Sequence, residues 1–438
     1  MPLSELSQDV FADRRARALD ALGDDGALLL FAARHHHRNS DAEYRYRQHS
    51  DVLYLTGWTH PEAVVLLRPG AEKPFVLFVQ PKNKEMEIWT GIRPGPIGAV
   101  EAYGADEAFD IDELEEKLPG LLTGYRTLYY EAMVDAQNDA LVAAALAKAR
   151  RASRKTRDPV PDAFLTPGRV LHPLRLHKTP DELALLREAA RITAEAHLAV
   201  MREARPGGFE YELEALLDYT FRRHGGTGPG YTSIVGGGEN ACILHYIENR
   251  AELRAGDLLL VDAGCEYGWY TADVTRTFPI DGTFTDAQRE LYELVLDAQI
   301  QAVDAVRPGR PFKDGHDIAV RVLTEGLVRL GLLDGEVDEL IENDAFKRFY
   351  MHGTGHFLGL DVHDVGPFVG EEPVLAPGMV VTVEPGLYVA PDDEEAPERF
   401  RGIGIRIEDD VLCTDGDPEV LTAAVPKTVE AVEAACRG

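Results

Sequence analysis

Four carboxylates sit in apolar stretches of the chain, where an acid needs a compensating partner. Asp262 ends LLLVD, Asp273 lies within YTADVTRTF, Glu384 follows MVVTV, and Glu408 lies within GIGIRIEDD. Tyr267-Gly268 between the first two predicts a tight hairpin turn, with a register that sets Asp262 directly opposite Asp273. Glu384 and Glu408 flank the polar loop APDDEEAPERF, and a symmetric hairpin opposes them too. Two carboxylates facing each other on one side of a sheet repel unless a cation lies between them. A single such acid reads as an exposed strand charge; four of them, paired by register inside apolar strands, read as a metal site.

Histidines add a softer ligand, clustered as His352, His356 and His363 in YMHGTGHFLGLDVHDVG. Gly353 and Gly355 would each cost a helix about 1 kcal/mol against alanine, so this segment is not the HExxH helix of zinc proteases. Four carboxylates with an imidazole form an oxygen-rich set suited to Mn²⁺, with Co²⁺, Fe²⁺ or Zn²⁺ as alternatives. Two such ions about 3.5 to 4 Å apart acidify a bridging water and polarise a carbonyl, which makes hydrolysis the natural reaction class. Arg406, two residues before Glu408 on the same strand, shares its face and is suited to orienting the acids or stabilising an oxyanion; a salt bridge to a strand acid is the plain alternative.

The elements that must position these groups fall into an α/β arrangement. Up to about residue 153, the apolar runs GALLLFAA, DVLYLTGW, EAVVLLRP, KPFVLFVQ and TLYYEA alternate with helical stretches at 110–122 and 137–153. Residues 154–177, with four prolines and mixed charge, fit neither period and predict a boundary, giving domains 1–173 and 174–438. Beyond it, Thr179-Pro180-Asp181-Glu182 is a capping box that starts a helix bearing Leu183, Leu186, Ala190 and Ala194 toward the core, and Thr285 with Gln288 starts another. Each helix runs into an Arg-Pro-Gly turn and a second helix, and each copy is followed by two acid-bearing strands, so the carboxy-terminal half reads as an internal duplication facing a shared cleft. The glycine-rich runs at 225–228 and 236–238 lack the GK[ST] ending of a phosphate loop and read as turns near a pocket; His35, His36 and His37 read as a solvated loop.

Composition limits the partners. The 438 residues carry a net charge of −30, which repels a phosphate backbone or an anionic lipid surface and argues against nucleic acid and membrane binding. The four cysteines, without a CxxC pair, read as reduced thiols. With no apolar signal core in residues 1–17 and no stretch near 20 apolar residues, a soluble cytoplasmic protein is expected.

The motifs VDAG, ADVTRTF, MHGTGHFLGLDVHDVG, VEPGLYV and GIGIRIEDD, in this order, resemble those of the aminopeptidase P group of pita-bread metallopeptidases, and DAEYRYRQHSDVLYLTGWTHPEAVVLL resembles that group's amino-terminal domain. The resemblance implies an amino-terminal α/β domain, a duplicated pita-bread domain, and removal of one amino-terminal residue before proline. It implies two divalent ions per chain, held by Asp262, Asp273, His356, Glu384 and Glu408. It further implies that Glu384 takes a proton from the bridging water, that His245, His352, His363, Tyr388 and Arg406 line the substrate site, and that the chain forms tetramers or dimers. In such assemblies Asp41 and Trp89 match positions that wall off a neighbour's site. Histidine titrates near neutrality, and His363 is the choice for protonating the leaving imide nitrogen. The rivals are a Xaa-Pro dipeptidase with the same metal centre, separated by the peptide length it accepts, and a non-catalytic or metal-free creatinase-like protein, separated by metal content. Methionine aminopeptidases share the metal fold, but the large amino-terminal domain argues against that group.

Overall fold

A computed structural model describes residues 6–367 and 373–437, and the chain divides after Arg175 into two compact units. In the first, a six-stranded sheet runs in the order Glu107–Asp110, Phe75–Val79, Val64–Leu67, Gly26–Phe31, Thr127–Tyr129, Ala163–Leu165. Gly26–Phe31 pairs antiparallel with Val64–Leu67 but parallel with Thr127–Tyr129, a mixed sheet of the kind that alternating strands and helices produce. The expected helices form as Leu114–Leu121 and Ala136–Thr156. DVLYLTGW departs from expectation: it contains the helix Ser50–Thr56, started by His49 accepting from the Asp51 N–H and stopped by left-handed Gly57. All seven of its residues are buried, so no exposed face imprints a helical period on the sequence.

The second unit repeats one element order. Helices Pro180–Glu203 and Glu210–Arg223 precede the strands Leu258–Asp262 and Thr275–Pro279; helices Asp286–Asp304 and Asp314–Leu330 precede Val380–Val383 and Asp409–Leu412. Both first helices start from the expected capping boxes, at Thr179 with Glu182 and at Thr285 with Gln288. Leu186, Ala190 and Ala194 are buried as expected, while Leu183 is half-buried beside fully buried Leu185. Within the described residues, one large apolar core joins helices of both copies to the strands, through Leu259, Val261, Phe278, Leu291, Val295, Val381 and Val411 among others.

Register decides where the acids meet. Leu258–Asp262 pairs with Thr275–Pro279 so that Asp262 faces Thr275, not Asp273. The turn is Gly268-Trp269 instead of Tyr267-Gly268: Tyr267 pairs with Tyr270, and both turn residues have positive φ, at 57° and 73°. A type I′-like turn suits the strand twist and moves the register by two. Because side chains alternate with period two, a two-residue shift keeps Asp262 and Asp273 on one face, now as diagonal neighbours. In the second copy Val383 faces Asp409 and Gly386 faces Arg406, the register that sets Glu384 against Glu408.

Candidate metal centre

Glycine brings the histidine segment to the strands. A side chain at Gly355 would collide with the Thr382 carbonyl, and its absence lets the segment lie alongside Val380–Val383. There Thr382 N–H donates to His356 O and Glu384 N–H to Thr354 O, both at 2.8 Å. His356 and Glu384 thereby become neighbours, with Nε2 and Oε1 3.8 Å apart. His356 Nδ1 lies 3.0 Å from the Phe357 carbonyl, which can only accept, so Nδ1 carries a proton and Nε2 faces Asp273 Oδ2 at 3.2 Å. An imidazole oriented this way is prepared to ligate through Nε2.

Asp273, His356 and Glu408 present ligand atoms that all lie within 4.8 Å of one another. Asp262 and Glu384 join them in the lining of a cavity of about 410 Å³, which also includes His245, His352, His363, Arg406 and Tyr231. His245 and His363 are exposed toward solvent, and the His363 ring lies 4.4 Å from that of His356. Tyr388 is 2% exposed and stands behind the cavity, where its hydroxyl accepts from Arg406 Nη1 and bonds His352 Nε2, each at 2.9 Å. Asp41 and Trp89 belong to the first unit and are exposed; neither is among the residues lining the cavity.

Arg406 is committed. Its guanidinium donates to Asp262 Oδ2 at 2.6 Å, to Thr275 Oγ1 at 3.1 Å and to the Tyr388 hydroxyl. The salt bridge to a strand acid, the plain alternative, is thus present, and the bonds together suit the side chain to orienting the acids. Thr275 passes its own hydrogen to Glu408 Oε2 at 2.7 Å.

Tyr231 is not among the site residues expected from the sequence, yet its hydroxyl stands 2.6 Å from Asp262 Oδ1 and 2.5 Å from Asp273 Oδ1. One hydrogen serves two carboxylates. The signal for it was indirect: Gly230, whose missing side chain lets the backbone press against Thr271 and carries Tyr231 to the acids. Asp410, which accepts from the Asp273 N–H at 3.2 Å, was also missed.

With Arg406 and a protonated His356 against four acids, the charges do not balance. Burial first, then Asp273 and the other acids, pushes Glu408 well above the carboxylate range. Burial also raises Asp273, and raises Glu384 to about 7 against the pull of His356 and Arg406. Although burial opposes it, Asp273 and Glu384 hold His356 up to about 9. Burial and then Arg406 lower His352 to about 4, and burial and then His356 lower His363. A cluster of oxygen donors that retains protons, with an imidazole nitrogen aimed into it, fits divalent cations, which displace those protons and cancel the repulsion.

Residues 184–415 match the description of metallopeptidase family M24, and residues 11–129 that of the aminopeptidase P N-terminal domain. The chain is 46% identical to a Xaa-Pro aminopeptidase of Escherichia coli, over 99% of this chain and 98% of that protein. It is 32% identical to human Xaa-Pro aminopeptidase 3, over 98% and 86%. Among solved structures it resembles Zn-substituted E. coli aminopeptidase P in complex with product, at 46% identity and a TM-score of 0.95, covering 99% of each chain. The Pseudomonas aeruginosa aminopeptidase PepP matches with the same identity and TM-score over 98% of each.

Proposed function

We infer from this chain's membership of metallopeptidase family M24, and from the site it carries, that it is a metal-dependent Xaa-Pro aminopeptidase: it hydrolyses the bond between an amino-terminal residue and a following proline. The observation that carries the reading is the convergence of Asp262, Asp273, His356, Glu384 and Glu408 on one cavity of about 410 Å³. These five are proposed to hold two divalent ions, most simply Mn²⁺, whose chemistry is Lewis acidity toward a carbonyl and acidification of water.

The chain's own groups are assigned as follows. Glu384, which lines the cavity beside His356, is assigned to take a proton from the attacking water. His363, at the open side of the cavity, is assigned to deliver a proton to the proline nitrogen as the bond breaks, although burial and then His356 favour its neutral form in the metal-free chain; the role matters because proline's tertiary amide leaves as a basic secondary amine. Arg406 holds Asp262 and Tyr388 in place, and Tyr388 in turn holds His352 at the wall. His245 and His352 contact the peptide. Asp41 and Trp89 are proposed to act across subunits of a homo-oligomer, a dimer or tetramer, in the cytoplasm. Among the described residues no helix is long and apolar enough to cross a membrane.

The test is a series of proline-containing peptides of graded length, given to protein reconstituted with Mn²⁺. Arg-Pro-Pro with several further residues is expected to lose its first residue only. Cleavage of dipeptides alone makes the dipeptidase reading the right one, and full activity after chelation removes the metal from the account.

A further inference from the structure

Between the strands Ile234–Gly237 and Leu258–Asp262 runs a segment that carries Leu244, His245 and Ile247, three residues of the cavity wall. Its regular structure is one short turn of helix, Gly238–Cys242, and a single bridge from Glu252 to Phe209, neither of which contains His245. The anchor comes from elsewhere. Glu210, the first residue of the helix Glu210–Arg223, is 0% exposed. Its Oε1 accepts from the Gly237 N–H at 2.8 Å and from Asn240 Nδ2 at 3.0 Å; its Oε2 accepts from the Tyr246 hydroxyl and the Ala251 N–H, both at 2.8 Å.

These four donors sit at the entry of the segment, at its exit, and next to His245. A carboxylate accepts at both of its atoms and donates at neither, which is what four converging hydrogens require. Asn249, fully buried, adds a brace by accepting from the Val235 N–H and donating to the Ser233 carbonyl. We propose that Glu210 is a positioning residue for peptide binding: it holds residues 237–251 so that His245 and Ile247 form a preset wall of the cavity. The proposal rests on the peptide-cleaving reading above, and it concerns substrate binding, since none of the five proposed metal ligands lies in this segment.

Glu210→Gln tests it. Whichever way the amide faces, its NH₂ meets donors, and while the Tyr246 hydroxyl can turn, the N–H of Gly237 or Ala251 or the Asn240 amide loses its acceptor. We expect the variant to keep its metal content and its kcat while KM for Xaa-Pro peptides rises about tenfold, the worth of roughly one lost hydrogen bond to substrate. In a His245→Ala background the same change is expected to leave KM unmoved, because the two act as one unit. Additive effects on KM, or loss of metal together with kcat, would overturn the assignment. Should Glu210→Gln fail to fold, Tyr246→Phe removes one donor while leaving the carboxylate in place, and a smaller rise confined to KM is expected; an unchanged KM counts against the proposal. Amide hydrogen exchange separates this inference from the assigned activity. If the parent protein cleaves no Xaa-Pro peptide, the functional reading falls, whereas Gly237 and Ala251 amides that exchange no faster in the variant than in the parent overturn the tether whatever the activity.

Discussion

Glu408 and Asp409 are consecutive and both buried, yet they live in opposite electrostatic surroundings. Glu408 faces the cavity with Asp262, Asp273 and Glu384, and burial among these acids raises it far above the usual carboxylate range. Asp409 points the other way and is met by Arg276 at 2.7 Å, Lys427 at 2.7 Å, Gln299 at 3.0 Å and the Thr422 hydroxyl at 2.8 Å. Burial opposes it, but Arg276 and Lys427 hold it below that range. Adjacent positions on an extended chain face opposite ways, so one peptide bond separates a cluster neutralised from within and a cluster that needs charge from outside. The first gives rigidity to the strand, and the second is left short of positive charge where cations must enter. A buried acid is therefore informative only together with its partners.

The contrast is sharpest in Asp273→Asn. Removal of this cavity acid is expected to bring metal content below one ion per chain and to lower turnover by about 10³-fold, roughly 4 kcal/mol of barrier. The metal-free variant should melt no lower than the metal-free parent, since it relieves repulsion. Wild-type metal content, measured by elemental analysis, would break the comparison.

Asp409→Asn should do the reverse. It leaves Arg276 uncompensated in the interior, takes a partner from partly exposed Lys427, and is expected to cost about 3 to 5 kcal/mol in urea unfolding. Protein that stays folded should still carry its metal.

A third prediction concerns pH. Glu384 is raised from 4.5 in the unfolded chain to about 7 in the folded one, so between those values the folded, metal-free state binds more protons than the unfolded state. The stability that Glu384 contributes is therefore full below pH 4.5 and falls as pH rises toward 7, by at most about 1.4 kcal/mol per pH unit. Metal should reverse the trend, because it competes with those protons, and its affinity should grow over the same window. Because His352, lowered to about 4, contributes the opposite slope over part of this range, the difference in stability between chelated parent and chelated Glu384→Gln from about pH 4.5 to 7.5 isolates the Glu384 contribution; a difference that does not fall across the window sinks the assignment of excess negative charge to the cavity.

The smallest effect is expected from Tyr231→Phe. It removes one hydrogen shared by Asp262 and Asp273, so metal-free protein should lose about 1 kcal/mol, while metal-loaded protein keeps most of its stability. Equal losses in both forms would mean that Tyr231 serves packing and not charge.

Much of this site was legible because its information is local. Capping boxes at Thr179 and Thr285, acids within apolar strands, and a hairpin around APDDEEAPERF are short-range patterns, and the register of the second copy follows from loop symmetry alone. The first hairpin was misjudged by two residues because Trp269 adopts a positive φ, which its residue type does not announce. The acids still met, since strand parity survives a shift of two. The helix Ser50–Thr56 was illegible because complete burial erases periodicity.

The sequence by itself determined which side chains carry the charge: hairpin parity and alternation put Asp262 with Asp273 and Glu384 with Glu408, whatever the rest of the chain does. Tertiary structure decided what those charges experience. Tyr231 lies 42 residues from Asp273, Arg406 lies 144 from Asp262, and Glu210 lies 41 from Ala251. Contacts over such separations leave no local pattern, because they exist only once the core has brought distant segments together, and it is they that set the charge balance and the walls of the cavity.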